Sequence, residues 1–236
     1  MNYFLPSVIV LVASILILLI TKKPFNELGL NISKVVLKYS LIGFTISLFV
    51  VTLIFLSEYY FQLTSSKLRI LSLPEMVTFT FFMVFIFLNS AFIEEMIFRG
   101  IVFQQLILSS NKTIATIIFS FLFSIGHIFN PSISILAFVN IFLAGIWLSI
   151  AKIMSQTLWL PIMLHFGWNF SLAYIFSYEV SGNTFTEFQF GELIVTGPRW
   201  LTGGHFGPEG GIIGTIGVLI ATAATIFICK KIDKQT

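Results

Sequence analysis

The sequence predicts an all-α fold, a polytopic transmembrane helical bundle of about seven spans. Three observations predict it. The chain is 57% hydrophobic and 10% charged, where a soluble domain carries roughly 25% charged residues. Its mean hydropathy is +0.99. Its apolar residues, 28 Phe among them, fall in runs close to the roughly 20 residues a helix needs to cross a bilayer. The runs lack period-2 alternation, so helices are expected rather than a barrel.

The expected spans lie near 4–20, 35–57, 76–107, 113–130, 133–151, 157–178 and 211–229. The first has no basic n-region and no small-residue cleavage site, and Lys22-Lys23 follow it. It reads as a retained span rather than a signal peptide. The third exceeds the bilayer and is expected to tilt or to run on into the next loop. Between the sixth and seventh lies the one long loop, 179–210, whose segment 196–211 holds glycines and prolines that prescribe turns and close backbone approach. That loop is expected to lid the bundle or fold back into it. The whole chain, 1–236, reads as a single integral-membrane unit with its core motifs within 75–230.

Charge sets the expected orientation. With seven spans and the N-terminus outside, the inner loops hold Lys22, Lys23, Lys34, Lys38, Lys112, Lys152, Lys230, Lys231 and Lys234. The outer loops hold only Lys67, Arg69 and Arg199, with Glu58, Glu75, Glu179, Glu187, Glu192 and Glu209. The basic bias favours a multi-pass cell-membrane protein with a cytoplasmic C-terminus. The net charge of +3 is scattered, without the basic cluster and interleaved aromatics of a nucleic-acid surface. A single cysteine, Cys229, excludes an intrachain disulfide framework and a Cys-based zinc site. It reads as an apolar helix residue.

Three polar insertions interrupt the apolar runs. The first is Glu94-Glu95-Met96-Ile97-Phe98-Arg99 in the third span. Charge at membrane depth is expensive and usually marks function. Glu95 and Arg99 are four apart and share a helix face, so they read as an ion pair. Glu94 lies about 100° round the helix from Glu95 and is poorly placed to share that partner. A carboxylate without a partner in a dry site holds its proton more tightly, as a general base near neutral pH must.

The second insertion brings His127 at the end of the fourth span, with Phe123 one turn before it. The third brings His165 and Asn169, four apart in the sixth span and projecting from one face. Counted at 1.5 Å per residue, Glu94 and His127 lie about 22 and 21 Å from the inner ends of their spans, His165 about 12 Å and Asn169 about 18 Å. That spacing is compatible with one site. His205, in the glycine-rich loop, reads as structural.

One carboxylate and one imidazole can position and deprotonate a water. A second imidazole with a carboxamide can stabilise the oxyanion of a tetrahedral intermediate. Such a set hydrolyses a peptide bond without a Ser or Cys nucleophile. Glu94, His127 and His165 would equally serve as zinc ligands, although no H-E-x-x-H motif is present. Composition and spacing leave water activation without a cofactor, and metal-assisted hydrolysis, both open.

At these residues the chain resembles the CPBP family of membrane proteases, related to CAAX prenyl endopeptidases and bacteriocin-processing (Abi-type) proteins. Glu94, Glu95 and Arg99 match E-E-x-x-x-R, Phe123 and His127 match F-x-x-x-H, and His165 and Asn169 match H-x-x-x-N/D, in the family's order. The loop Thr202–Gly211 and Glu27-Leu28-Gly29-Leu30 are also similar to segments of bacterial members. His205 departs from the small apolar residue expected in that loop. The resemblance covers roughly 25–230.

It implies a glutamate-type intramembrane endopeptidase. Glu94 and His127 would activate the water, His165 and Asn169 would form the oxyanion site, and Glu95, Arg99 and Phe123 would support them. The implied partners are the lipid bilayer and a hydrophobic or membrane-associated peptide, in peptide maturation or bacteriocin self-immunity. An older proposal treats such enzymes as metalloproteases, so a divalent metal stays open. Two alternatives stand beside this reading. One is a non-catalytic immunity or chaperone-like membrane protein. The other is a proton-coupled transporter, against which no pair of Gly/Pro-broken helices is visible.

Overall fold

A computed structural model of the chain describes residues 4–22, 27, 29–31, 33–185 and 189–233. Lys23, Leu28, Glu187 and Lys234, which enter the expectations above, lie outside the described residues. The helices are α1 (Phe4–Thr21), α2 (Lys34–Tyr60), α3 (Leu73–Arg99), α4 (Ile101–Ser109), α5 (Lys112–Gly126), α6 (Ile135–Ser155), α7 (Trp159–Phe170, continued by a π-turn over Ser171–Ile175), α8 (Arg199–Thr202) and α9 (Ile212–Asp233). Helices occupy each of the seven expected runs. Four stretches among the described residues are long and apolar enough to cross a membrane on their own: Lys34–Tyr60, Leu73–Ser109, Ile135–Ser155 and Ile212–Ile232. Val8–Ile20 and Lys112–Gly126 are shorter apolar helices.

Helix starts follow local chemistry. Ser33, Asn111 and Ser134 cap α2, α5 and α6 by accepting from the amides of Val36, Ile114 and Ala137. Ser72 and Glu75 form a reciprocal capping box at the start of α3, with Pro74 in its first turn. The third span does not run on as one straight rod. It breaks at Gly100, whose backbone leaves the helical region at φ −76° and ψ −143°; a Cβ there would lie 2.1 Å from the carbonyl oxygen of Met96. The straight-helix depth of Glu94 from the inner end of its span therefore does not apply.

The bundle is inside-out relative to a water-soluble protein. Ser47, Glu95, Arg99, Ser120, Ser124, Ser149 and Thr225 are buried, while Phe49, Phe81, Leu122, Leu219 and Phe227 are exposed. An apolar exterior around a polar-seeded core suits lipid. The helices α2 and α7 make the most extensive contact, and α6 packs on α5 and α9. Small residues bring backbones close. A Cβ on Gly145 of α6 would meet Ser120 of α5 at 2.8 Å, and one on Gly167 of α7 would meet Phe44 and Ser47 of α2 at 3.1 Å. Ser47 Oγ donates to the Leu164 carbonyl at 2.6 Å across the same seam.

The connections sort into two ends. At one end a two-stranded antiparallel ribbon, which the sequence reading did not include, pairs β1 (Thr64–Leu68) with β2 (Gly191–Val195). Asn130 donates to the Ser181 carbonyl and Arg199 to the Ser132 carbonyl at that end. At the other, Thr157 and Trp159 donate to the carbonyls of Gly29 and Leu30, and Gln105 donates to Glu27. Alternate connections thus share an end. Two charges assigned to loops are interior instead. Glu58 is buried at the end of α2 and accepts from the Tyr178 hydroxyl at 2.9 Å. Lys152 is buried in the last turn of α6.

Candidate active site

Helices α3, α5 and α7 converge on one polar cluster. Glu94 and Glu95 sit in the last two turns of α3, His127 caps the C-terminus of α5, and His165 sits mid-way along α7. Glu94 Oε1 accepts from Ser90 Oγ, one turn back, at 2.9 Å. Its Oε2 is buried and has no hydrogen-bond partner. That oxygen lies 3.8 Å from His127 Nε2 and 3.9 Å from His165 Nε2. Both separations are too long for a direct hydrogen bond and suit a bridging water.

The two imidazoles are oriented from behind. His127 Nδ1 lies 2.8 Å from the Phe123 carbonyl. A carbonyl can only accept, so Nδ1 carries the proton and Nε2 of the neutral ring presents a lone pair to Glu94. His165 Nδ1 lies 2.9 Å from Glu95 Oε1. With Nδ1–H held there, His165 Nε2 bears a hydrogen only when the ring is doubly protonated.

The support layer is fully buried. Arg99 Nη1 donates to Glu95 Oε1 at 3.1 Å and Nη2 to the Gly145 carbonyl at 2.9 Å; Nε faces Ser149 Oγ at 3.5 Å. Both members of the pair are inaccessible to solvent. Phe123 lies over this layer, its ring centroid 4.6 Å from the Arg99 guanidinium carbon and 4.7 Å from the His127 ring centroid. Breaking a buried charge pair by removing one partner costs about 3–5 kcal/mol. Glu95 and Arg99 therefore fix the position of His165 as well as neutralising each other.

A cavity of about 1010 Å³ opens in front of the cluster. Glu94, His127, His165 and Asn169 all line it, as do Phe98 and Phe123. Asn169 is half-buried on the same wall, one turn beyond His165. His205 is not part of this cluster. Its ring is exposed, and its Nδ1 faces Glu179 at 3.4 Å.

The glycine-rich loop packs against α6 and α9 and lines the cavity through Glu209. Glu209 is its anchor. One carboxylate oxygen accepts from Trp168 Nε1 at 3.2 Å, and the other from the Ser181 amide at 2.7 Å and hydroxyl at 2.8 Å. Asn140 of α6 donates to the carbonyls of Glu209 and Gly211 at 2.9 and 3.0 Å and accepts from Thr215. Gly203 holds φ +86°, and a Cβ there would collide with the Gly207 carbonyl at 1.7 Å. The tight fold thus requires glycine. Sequence reasoning missed Asn140, Trp168 and Glu209 as cavity residues. Glu209 stood in the quoted loop but reads there as one more exposed acid. Ser90, four residues before Glu94, was available from helical spacing alone.

Zinc bonds of 2.0–2.2 Å place tetrahedral ligand atoms about 3.4 Å apart. The separations of 3.8 and 3.9 Å from Glu94 Oε2 to the two Nε2 atoms are wider than that. Among the described residues no group of three His, Cys, Asp or Glu side chains is arranged to hold a metal ion. The three side chains as they stand do not fit a tetrahedral ion.

Fold and cavity together define a multi-pass helical membrane protein with an acid–imidazole cluster inside the bundle. Residues 76–171, less than half of the chain, match the family model of the Rce1-like type II CAAX prenyl endopeptidases. The matched segment takes in all three motifs and agrees with the CPBP resemblance; it supports a CAAX-type intramembrane endopeptidase in general. No curated protein and no solved structure matches the chain.

Proposed function

We propose that this cavity is the active site of an intramembrane endopeptidase that hydrolyses a hydrophobic or membrane-associated peptide with a water activated by Glu94 and His127. The observation that carries the reading is the unpartnered Glu94 Oε2 faced by two imidazole Nε2 atoms at 3.8 and 3.9 Å. A water there gives one hydrogen to Glu94 and the other to the His127 Nε2 lone pair. Its own lone pair is then free for the scissile carbonyl carbon. As the carbon–oxygen bond forms, a proton passes to Glu94 or His127 and later goes to the departing amine.

His165 and Asn169 take the oxyanion role, donating to the oxygen on which charge develops. With Nδ1–H engaged by Glu95, His165 acts as the imidazolium. Glu95, Arg99 and Phe123 are positioning residues. In the cell the protein sits with its N-terminus outside and its C-terminus in the cytoplasm, and serves peptide maturation or self-immunity to a bacteriocin.

The test compares peptide termini, by mass spectrometry, in membranes and medium of cells expressing the wild type or Glu94→Gln at equal levels. The reading expects termini that appear only with Glu94. Identical lists from two folded, inserted proteins would remove the peptidase and leave a non-catalytic immunity role.

A further inference from the structure

A second cavity, of about 510 Å³, lies at the ribbon end of the bundle. Its wall comes from 67–69 and 177–193, outside the matched segment 76–171. The ribbon strands form one side of it. Ser177 and Glu179 line it from the segment that follows α7, while Val180 of the same segment lines the large cavity. Thr184 lines both. The two cavities therefore meet there, and they differ in chemistry. The large one has Ile86, Phe87, Ile141 and Leu148 on its wall, and the small one is mostly polar.

Two polar groups of the small cavity are short of partners. Gln189 is only 5% exposed, and its carboxamide has no hydrogen-bond partner among the described residues. Glu179 Oε1 faces the exposed His205 ring at 3.4 Å, and its Oε2 is buried with no partner. A buried polar atom without a partner is costly, a charged one most of all. The last torsion of a glutamate is soft, so its carboxylate can turn Oε2 toward a donor that enters the cavity.

The charges on this wall are Lys67, Arg69, Glu179 and Glu192. Lys67 stands directly opposite Glu192 in the ribbon register, where opposite charges attract. Arg69 lies within electrostatic reach of Glu75. Both cations are exposed, so water and salt screen them. Glu179 is more enclosed, and there a charge acts more strongly. The unmet demand of the cavity is for a cation.

We infer that the small cavity binds the polar flank of the peptide whose apolar stretch lies before Glu94, taking a Lys or Arg side chain of that flank against Glu179. The inference rests on the reading of the large cavity as the peptidase site. One chain passes from one cavity to the other at Thr184, and its backbone amides meet the Gln189 carboxamide. The substrate class is then an apolar peptide with a basic flank.

The test uses the full-length protein in nanodiscs of zwitterionic lipid, with Glu94→Gln to stop turnover. The probes are fluorescent, end-blocked peptides with one apolar hexapeptide core. Each carries two lysines, two glutamines or two glutamates, placed at its N-terminal or C-terminal end. Fluorescence anisotropy, corrected with empty nanodiscs, reports binding. In one of the two placements the lysine flank is expected to bind about tenfold more tightly than the glutamine flank, the worth of one charge-assisted hydrogen bond. The glutamate flank is expected to gain nothing. Adding Glu179→Gln should remove the lysine advantage and leave the glutamine-flanked affinity unchanged. Adding Glu192→Gln should keep the advantage.

Equal affinities for lysine and glutamine flanks in both placements, a preference for glutamate, a lysine preference that survives Glu179→Gln, or no binding of any probe would overturn the inference. The peptidase reading fails separately. A wild type that binds the lysine-flanked peptide through Glu179 and never cleaves it would sink that reading. Glu94-dependent cleavage indifferent to the flank would sink only the inference.

Discussion

Glu94 and Glu95 are neighbours in sequence with different physical situations. Glu95 shares one oxygen between Arg99 and His165 and is wholly buried. Glu94 has a single donor, Ser90 of its own helix, and faces the cavity. Substitution should separate them. Glu94→Gln is expected to leave the unfolding temperature in detergent nearly unchanged and to lower turnover by about 10²–10⁴-fold, the usual worth of a general base. Arg99→Ala strands Glu95 in the core and is expected to destabilise the fold by about 3–5 kcal/mol. Thermal unfolding and processing rate, measured on both variants, check the split. A Glu94→Gln protein as unstable as Arg99→Ala would mean that Glu94 is only structural.

At the scale of elements, the cluster depends on how closely α5 approaches α6, because α5 carries both Phe123 and His127. Gly145 sets that approach. A valine there would press on Ser120, already 2.8 Å from a bare Cβ, and tilt the end of α5 away from α3. Gly145→Val is expected to cost about 1–3 kcal/mol by overpacking and to abolish turnover with Glu94 and His127 intact. A disulfide trap between α3 and α5 introduced into that variant, if it restored activity, would confirm separation as the cause. The glycine-rich loop is a second dependent element. Glu209→Ala removes the acceptor for Trp168 and for both Ser181 donors. Hydrogen exchange in 181–183 and 199–211 should rise while α2 and α7 stay protected. Unchanged exchange in the loop would show that its glycine turns hold it without Glu209.

At the scale of the molecule, the membrane dictates the pattern: apolar faces outward, polar groups inward, loops gathered at two ends. Cys229 is buried, so single cysteines introduced into a Cys229→Ala chain report sidedness. A cysteine at Lys67 on the ribbon should react with an impermeant maleimide in intact cells, and one at Ser110 only after lysis. The reverse would invert the orientation that the basic residues suggest. Much of this scale was legible in the sequence, because a helix that must cross lipid announces itself by length and apolarity.

The Glu95–Arg99 pair follows from four-residue spacing, and the capping residues from local chemistry. The break at Gly100 is a local change of backbone, ψ −143°, that an apolar run of this length does not announce. Other features were not legible, since they belong to contacts across the fold. The hold of Arg99 on Gly145 joins residues 46 apart in the chain. The anchoring of Glu209 needs Trp168 and Ser181 brought together from two further segments. The ribbon β1–β2 pairs strands separated by most of the bundle, and no local pattern in Thr64–Leu68 marks it.

The most direct measurement is the Glu94-dependent appearance of peptide termini, with wild type and Glu94→Gln expressed at equal, folded levels in one cell background. The account predicts a short set of termini, within or beside apolar segments, present with the wild type and absent with the variant. Two indistinguishable sets of termini would contradict it.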